Sequence, residues 1–198
     1  MIILYHRAKS RSTRFLFLLE ELGAPYEVKR VTIRSSADES GLDPGNPHPH
    51  GKVPVIAHNG EIVFESPAIA LYLTDAFPAN GLGPKVGEPK RGSYLSFLMY
   101  YGSVLEPAFM SKFQNTPVPR GTAGWVVVEE AMDFLIKTLS VGPYLLGERF
   151  SAADVLYGTT FAMFAQSPLM QKSSVVEAYA QRVTARPAYA KALEMDQR

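Results

Sequence analysis

The sequence contains no cysteine. This absence excludes disulfide bonds, zinc sites built from cysteine and any nucleophilic thiol supplied by the chain itself. Four histidines are present, but none stands at the spacing of a metal-binding motif such as HExxH. We therefore expect no metal centre, and chemistry at sulfur requires a thiol that arrives with a ligand.

An excess of charge of either sign is also lacking, since 20 Lys and Arg oppose 19 Asp and Glu for a net charge of +1. Without a basic block, the sequence predicts no nucleic-acid partner. No apolar run is long enough to cross a bilayer. The opening residues, MIILYHRAKS, lack the basic region followed by an apolar stretch that marks a secretory signal. We expect a cytoplasmic protein with no membrane partner.

The chain nevertheless has what a folded protein needs, because 198 residues with 46% hydrophobic content are enough for one large or two small domains with real cores. Residues 2–5 are apolar and predict a first strand. The stretch 12–22, STRFLFLLEEL, predicts a helix that ends at Gly23. Residues 25–33 alternate and predict a second strand.

A second group of elements follows a polar loop at residues 34–51, which is rich in Ser, Gly and Pro and is expected to hold at most one helical turn. Residues 53–57 and 61–64 predict two strands joined by a tight turn, because Asn-Gly is the strongest short hairpin signal. A helix then begins with Ser66 as its N-cap and Pro67 at its first position. The order β-α-β-loop-β-β-α over residues 1–77 predicts an α/β fold.

The remaining chain has a different character. Residues 78–92, PANGLGPKVGEPKRG, are dense in Pro and Gly and predict a linker. Four stretches beyond it carry apolar residues at helical spacing, and hairpin signals are absent. Residues 93–198 therefore predict an all-α domain.

A candidate site lies in the loop after the first strand. Ser10 and Ser12 carry hydroxyl groups beside a helix N-terminus, where free N–H groups and the helix dipole stabilise an anion such as a thiolate. Ser12 or Ser10 has an equally ordinary alternative role as a helix cap. Both interpretations stay open on the sequence alone.

Two further stretches suggest what this site binds. Pro54 interrupts the apolar run GKVPVI, and a proline at the head of a strand is expected to be cis and to leave the Val53 backbone free to pair with a peptide. Glu65 and Ser66 together fit an amino-acid zwitterion, although a plain helix N-terminus explains them equally well. A thiol, a peptide backbone and a zwitterion together describe glutathione.

The motifs STRFLFLLEELG, NPHPHGKVPVIAHNGEIVFESPAIALYL and LLGERFSAADVLYGTTF, with a helical second half, resemble a soluble bacterial-type glutathione transferase over essentially the whole chain. The resemblance implies a thioredoxin-like N-terminal domain over residues 1–77 and a helical domain over residues 93–198. In the third motif, Ser151 and Asp154 are expected to form a capping box, with Phe150 and Val155 as its hydrophobic staple.

The resemblance also implies roles for individual residues. Val53 and the cis Pro54 would meet the cysteinyl part of glutathione, and Glu65 and Ser66 its γ-glutamyl end. Ser10 is expected to donate the hydrogen bond that stabilises the glutathione thiolate in a serine-type site, with Arg11 and Ser12 as alternatives. Further contacts with glutathione are assigned, more weakly, to three residues: Tyr5, His50 and Lys52.

The expected activity is attack of the glutathione thiolate on a small hydrophobic electrophile, with glutathione as a cosubstrate and no cofactor. The electrophile is expected in an apolar cleft lined by Phe97, Tyr100, Tyr101 and Met110, although aromatic and Met stripes of this kind more often belong to a core. Glutathione-dependent reduction of disulfides or peroxides is the alternative activity, and a non-catalytic binding or assembly module is the alternative of another class. The family is usually dimeric, so a homodimer is implied.

Overall fold

The computed structural model describes residues 1–33 and 41–197. These residues form two compact units: residues 1–80 together with the C-terminal segment that begins at Arg186, and residues 81–185. The boundaries differ from the predicted ones in two places. Most of the predicted linker belongs to the second unit, and the last helix belongs to the first.

The first unit contains a four-stranded sheet in the order β2-β1-β3-β4. Its strands are β1 (Ile2–His6), β2 (Tyr26–Arg30), β3 (Val55–His58) and β4 (Glu61–Phe64). β1 and β2 are parallel, as a β-α-β crossover requires, whereas β3 pairs antiparallel with both β1 and β4. The predicted α/β, thioredoxin-like class of the N-terminal part is confirmed.

The described residues of this unit form three α-helices, α1 (Thr13–Leu22), α2 (Ser66–Ala76) and α8 (Pro187–Gln197), and a short 3₁₀ helix (Pro78–Asn80). α1 buries a continuous run from Phe15 to Leu19 and ends at Gly23, whose φ of 57° is the left-handed conformation that closes a helix. Asn59 and Gly60 both have positive φ, as the two-residue hairpin turn requires. These turn signals were readable because they depend on local backbone geometry.

α8 was not foreseen as a separate helix of this unit. The sequence of residues 175–195 has one continuous helical pattern, but the helix is interrupted at Ala185 and Arg186, and Pro187 begins α8. Arg186 is bound there by a bidentate ion pair to Glu21 of α1, with nitrogen–oxygen distances of 2.6 and 2.7 Å. The ring of Tyr189 packs edge-on against Phe17, 5.4 Å away.

The second unit is helical, as predicted. It contains α3 (Arg91–Tyr100), α4 (Glu106–Phe113), α5 (Val128–Leu139), α6 (Ala152–Phe164) and α7 (Ser174–Thr184). A π-helical turn over Tyr101–Leu105 joins α3 to α4, so the predicted first helix is interrupted after Tyr100.

The predicted capping box at the start of α6 is present. The Asp154 carboxylate accepts hydrogen bonds from the Ser151 N–H and hydroxyl, both at 2.8 Å, and from the Leu145 N–H at 2.9 Å. The Tyr179 hydroxyl of α7 donates to the same carboxylate at 2.9 Å. Burial raises the pKa of Asp154. This fully buried carboxylate therefore joins two helices and the preceding turn.

Of the predicted loop at residues 34–51, residues 34–40 lie outside the described residues, so the expected single helical turn is tested only over residues 41–51. Residues 41–51 contain turns and bends without helix or strand, as expected. No helix within residues 1–33 and 41–197 has the length and apolar character needed to cross a membrane.

Candidate functional site

Strand register brings the predicted ligand-binding stretches to one end of the sheet. Val55, the first residue of β3, pairs with Tyr5 near the end of β1 and with Phe64 at the end of β4. Three segments therefore lie at the same end of the sheet: the loop after β1, the segment entering β3 and the residue that follows β4.

The segment entering β3 has the predicted conformation. The Val53–Pro54 peptide bond is cis, as expected. β3 begins only at Val55, and the backbone N–H and C=O of Val53 form no hydrogen bond with any other described residue. Val53, a buried residue, thus has unpaired backbone groups of the kind that an added peptide strand pairs with.

Glu65 and Ser66 sit at the start of α2, with one correction to the predicted cap. Ser66 is the first residue of the helix, so Glu65 occupies the N-cap position and Pro67 follows one place later than expected. Glu65 has φ of 70°, which is rare for a residue with a side chain, and its carboxylate is exposed. The buried Ser66 makes no side-chain hydrogen bond to another described residue. An exposed carboxylate beside a helix N-terminus can meet both charges of a zwitterion.

The same end of the sheet also holds Lys52, His50 and Tyr5. Lys52 and His50 are exposed, and the His50 ring is 5.8 Å from that of the buried His48. Tyr5 is half-buried on the face opposite Leu4, with the Lys29 ammonium 5.5 Å from its ring centre. These positions permit the weaker assignments without favouring any of them.

The structure separates the roles of the two loop serines. Ser12 is fully buried, and its hydroxyl lies 2.8 Å from Nδ1 of His6, 2.8 Å from the Ser10 hydroxyl and 3.1 Å from both the N–H and C=O of Arg7. Direct contact of Ser12 with a ligand thiol is therefore ruled out by burial. The Ser12 side chain does not cap α1 either, since it makes no hydrogen bond to the first turn.

Ser10 is half-buried and sits between Ser12 and the outside of the loop. Its hydroxyl donates to the Arg7 carbonyl at 2.6 Å, and the two serine oxygens are within hydrogen-bond distance. Arg11 is exposed beside it. Of the three predicted catalytic residues, Ser10 is the serine whose hydroxyl remains partly accessible.

Two residues of this cluster were not predicted. His6 at the end of β1 is fully buried, and its Nε2 atom lies 3.4 Å from Oδ1 of Asp196 in α8. Asp196 also accepts hydrogen bonds from the Lys9 N–H, at 3.0 and 3.2 Å, and from the Thr13 hydroxyl at 2.5 Å. No sequence signal points to Asp196, because 190 residues separate it from His6 and only the return of α8 to α1 brings them together.

Burial is the main cause of the lowered pKa of His6. It lowers the pKa of His6 below 6.5, and the positive charge of Arg30 lowers it further, whereas the carboxylate of Asp196 opposes both. His6 is therefore neutral at pH 7, with one N–H and one acceptor nitrogen.

The four predicted electrophile-site residues lie in the second unit in different environments. Phe97 and Tyr100 are half-buried on α3, where both rings neighbour Phe134 at 6.2 and 5.2 Å, and Met110 is exposed on α4. Tyr101 is fully buried in the π-helical turn, with its hydroxyl 2.9 Å from Glu106 and 2.8 Å from Thr160. The assignment of Tyr101 to a ligand surface is thereby corrected, because this side chain is part of the unit's core.

Within residues 1–33 and 41–197, no three His, Asp or Glu side chains are grouped so that they could hold a metal ion.

Comparison with known proteins bears on this site. The family model "Glutathione S-transferase, N-terminal domain" matches residues 1–75, the part that contains Ser10, Val53 and Glu65. The chain is 27% identical over 175 residues to glutathione S-transferase 3 of Schizosaccharomyces pombe, covering 78% of this chain and 70% of that protein. It is 24% identical over 196 residues to glutathione S-transferase GstA of Escherichia coli O157:H7, covering 98% of each.

Solved structures agree over the full length. A glutathione transferase of Methylococcus capsulatus superposes with a TM-score of 0.80 at 26% identity, covering 100% of this chain and 99% of the other. A sphingomonad glutathione S-transferase complexed with glutathione superposes with a TM-score of 0.78 at 29% identity, covering 98% of each. The family-model match and these full-length similarities show that the chain belongs to the glutathione transferase family.

Proposed function

We propose that the protein binds glutathione at one end of its sheet and joins it, through its sulfur, to a small hydrophobic electrophile. The observation that carries this proposal is the strand register, in which Val55 pairs with both Tyr5 and Phe64. This register brings the segments that contain Ser10, Val53 and Glu65 to one end of the sheet. A ligand with a thiol, a peptide backbone and a zwitterion matches these three positions in turn.

In the proposed reaction, the thiolate attacks an electrophilic carbon, a carbon–sulfur bond forms and the leaving group departs with its electron pair. The Ser10 hydroxyl stabilises the thiolate by donating to it in place of the Arg7 carbonyl. Arg11 remains an alternative donor. The protein itself supplies no nucleophile, which is consistent with a chain that has no cysteine.

The electrophile is proposed to contact Phe97, Tyr100 and Met110. Their aromatic and thioether groups suit an apolar, aromatic molecule. Support for this part of the proposal is the accessibility of these side chains, since none of the three is fully buried.

The main test compares Ser10→Ala with a matched control, Ser140→Ala. Both serines donate to a backbone carbonyl, Ser10 at 2.6 Å and Ser140 at 2.7 Å, but Ser140 is exposed at the end of α5. With 1-chloro-2,4-dinitrobenzene as electrophile, Ser10→Ala is expected to lower kcat about tenfold or more with glutathione affinity nearly unchanged. Ser140→Ala should match the wild type. Full activity in Ser10→Ala would transfer the role to Arg11 or to backbone N–H groups.

Binding is tested separately through Glu65. Glu65→Gln keeps the size of the side chain but removes the charge that would meet the glutathione ammonium group, so the KM for glutathione should rise about tenfold with little change in kcat. Glu61→Gln is the control, because Glu61 is an exposed glutamate on the adjacent strand β4. Equal KM values for the two variants would refute this placement of the ligand.

Assays of the wild-type protein also test the two alternative functions, a glutathione-dependent reductase and a non-catalytic binding module. Turnover of hydroxyethyl disulfide or cumene hydroperoxide with glutathione, but not of the chlorinated nitrobenzene, would favour a reductase. Retention on immobilised glutathione without any turnover would favour a binding module.

A further inference from the structure

The side chains of Ser10, Ser12, His6 and Asp196 form a continuous chain that leads from the accessible edge of the site into the core of the first unit. The successive contacts are 2.8 Å between the two serine oxygens, 2.8 Å from Ser12 Oγ to His6 Nδ1, and 3.4 Å from His6 Nε2 to Asp196 Oδ1. We call these four residues the Ser–His–Asp chain. Only its first member is partly accessible.

The Ser–His–Asp chain is not a nucleophilic triad. A serine nucleophile must reach its substrate, and Ser12, the serine in contact with the histidine, is fully buried. Its surroundings instead allow a proton to pass, because each hydroxyl can accept one proton and donate another at the distances observed. The direction of passage is set by the ends of the chain.

At the inner end, His6 has an arrangement that suits proton uptake. Its Nε2 atom is buried and makes no hydrogen bond within the described residues, yet it lies within ion-pair distance of the Asp196 carboxylate. An acceptor nitrogen facing a carboxylate is unfavourable, so Nε2 carries the hydrogen and Nδ1 accepts from the Ser12 hydroxyl. Neutral His6 therefore presents an unprotonated Nδ1 atom to the Ser12 hydroxyl.

The carboxylate that faces His6 is itself firmly positioned. Asp196 accepts from the Lys9 N–H and from the Thr13 hydroxyl, so α8 holds it against the loop and the first turn of α1. Arg30 of β2 also acts on His6, and its positive charge opposes protonation. Burial and Arg30 favour the neutral form of His6, which can accept a proton, and the Asp196 carboxylate stabilises the imidazolium that forms when it does.

We propose that His6, paired with Asp196, accepts the proton of the glutathione thiol through Ser10 and Ser12. The inference rests on the proposed function, which places the thiol beside Ser10. The Ser10 and Ser12 hydroxyl hydrogens, which can both donate to the Arg7 carbonyl, first turn toward Ser12 Oγ and His6 Nδ1 respectively. The thiol S–H bond then breaks and its proton goes to Ser10 Oγ, the Ser10 proton goes to Ser12 Oγ, and the Ser12 proton forms an N–H bond at His6 Nδ1. The products are a thiolate that accepts a hydrogen bond from Ser10 and an imidazolium that pairs with Asp196. His6 and Asp196 are positioning residues, since neither touches the ligand.

The decisive measurement counts protons and thiolate together in the wild-type protein. Thiolate formation on bound glutathione is followed by its ultraviolet absorbance at pH 7, and proton release by calorimetry in two buffers with different ionisation enthalpies. The relay predicts thiolate at the site with almost no proton released, because His6 retains it. One proton released for each thiolate formed would overturn the relay and leave the proposed function intact. Absence of glutathione binding would overturn both.

Variants test the same point independently. His6→Asn is expected to lower the yield of thiolate at pH 7 about tenfold with unchanged glutathione affinity, and raising the pH should restore the yield because the thiol then ionises without a base. The control is His58→Asn, since His58 also contacts a hydroxyl through Nδ1, that of Tyr72 at 3.0 Å, but on another part of the unit. A loss of yield in His6→Asn that high pH does not restore would indicate a merely structural role.

A second variant covers the case in which His6→Asn does not fold. Asp196→Asn leaves an oxygen that can accept from Lys9 and Thr13 but removes the charge that stabilises the imidazolium. Its thiolate yield at pH 7 should fall, and protons should then be released in proportion to the thiolate that remains. Wild-type thiolate and proton counts in Asp196→Asn would overturn the role of this carboxylate.

Discussion

Gly158 of α6 lies directly against Val183 of α7. A methyl group at Gly158 would come within 2.6 Å of the Cβ and Cγ1 atoms of Val183, closer than non-bonded carbons approach. Both positions lie inside helices and are buried, so neither backbone can easily move away. The close packing of α6 on α7 therefore depends on the absence of a side chain at this position.

Gly158→Ala should consequently destabilise the protein by about 1–3 kcal/mol, because overpacking outweighs the better helix propensity of alanine. The measurement is the free energy of unfolding in urea. Gly92→Ala is the matched control in α3, where a new Cβ meets no atom within 4 Å and the change should be neutral or stabilising by up to about 1 kcal/mol. Equal effects of the two substitutions would contradict the close approach.

The buried carboxylate of Asp154 gives a second prediction. Asp154→Asn replaces one acceptor oxygen with an NH₂ group that faces donors from Ser151, Leu145 or Tyr179, and unfolding should become easier by about 2–4 kcal/mol. Asp133→Asn is the control, since Asp133 is an exposed residue of α5. A change below about 0.5 kcal/mol in Asp154→Asn, within the range of surface substitutions, would show that the network contributes little.

Two aromatic neighbours, Tyr100 and Tyr101, are expected to behave differently. Tyr101→Phe removes a buried hydroxyl that contacts Glu106 and Thr160, so the free energy of unfolding should fall by about 1–3 kcal/mol with no change in the KM for the electrophile. Tyr100→Phe should leave stability unchanged, because no hydrogen bond of its hydroxyl is present among the described residues. A raised KM with normal stability in Tyr101→Phe would return this residue to the ligand surface.

Alkaline pH should unfold the protein through its buried tyrosines. Burial raises the pKa of both Tyr157 and Tyr179 well above 10.0. Since these phenols ionise more readily in the unfolded chain, their contribution to stability is fully present below pH 10.0 and is lost as the pH rises above it.

The measurement is a phenolate absorbance titration of the ten tyrosines. In concentrated urea all should ionise together near pH ~10, whereas the native protein should retain a delayed group that titrates only as it unfolds. Tyr157→Phe should make that delayed group smaller. A single reversible step near pH ~10 for every tyrosine of the native protein would contradict the burial of these hydroxyls.

Much of the fold and part of the site could be predicted because their signals are local. Asn59-Gly60 specifies a hairpin turn, Gly23 a helix end, and Ser151 with Asp154 a capping box, each through the backbone conformation or hydrogen bonds of adjacent residues. The isomer ahead of Pro54 was predicted from its place at the head of a strand. These features hold wherever the segment packs.

The predictions that failed depend on which side chains meet in the folded unit. Ser12 occupies the predicted N-cap position of α1, but its hydroxyl contacts His6 and Arg7 and makes no capping hydrogen bond, and its burial excludes direct contact with a ligand thiol. Tyr101 carries the same apolar periodicity as Tyr100, and the hydroxyl of Thr160, far along the chain, identifies it as a core residue. A helical period gives the direction of a side chain but not what stands opposite it.

The amino-acid sequence by itself determined the order of strands and helices, the turns between them, and the absence of a protein thiol, because these follow from backbone preferences and composition. Only the tertiary structure decided that α8 returns to α1 and brings Asp196 to His6. The physical reason is that this arrangement is made by packing and ion pairing between segments nearly 200 residues apart, and no local preference encodes such a partner.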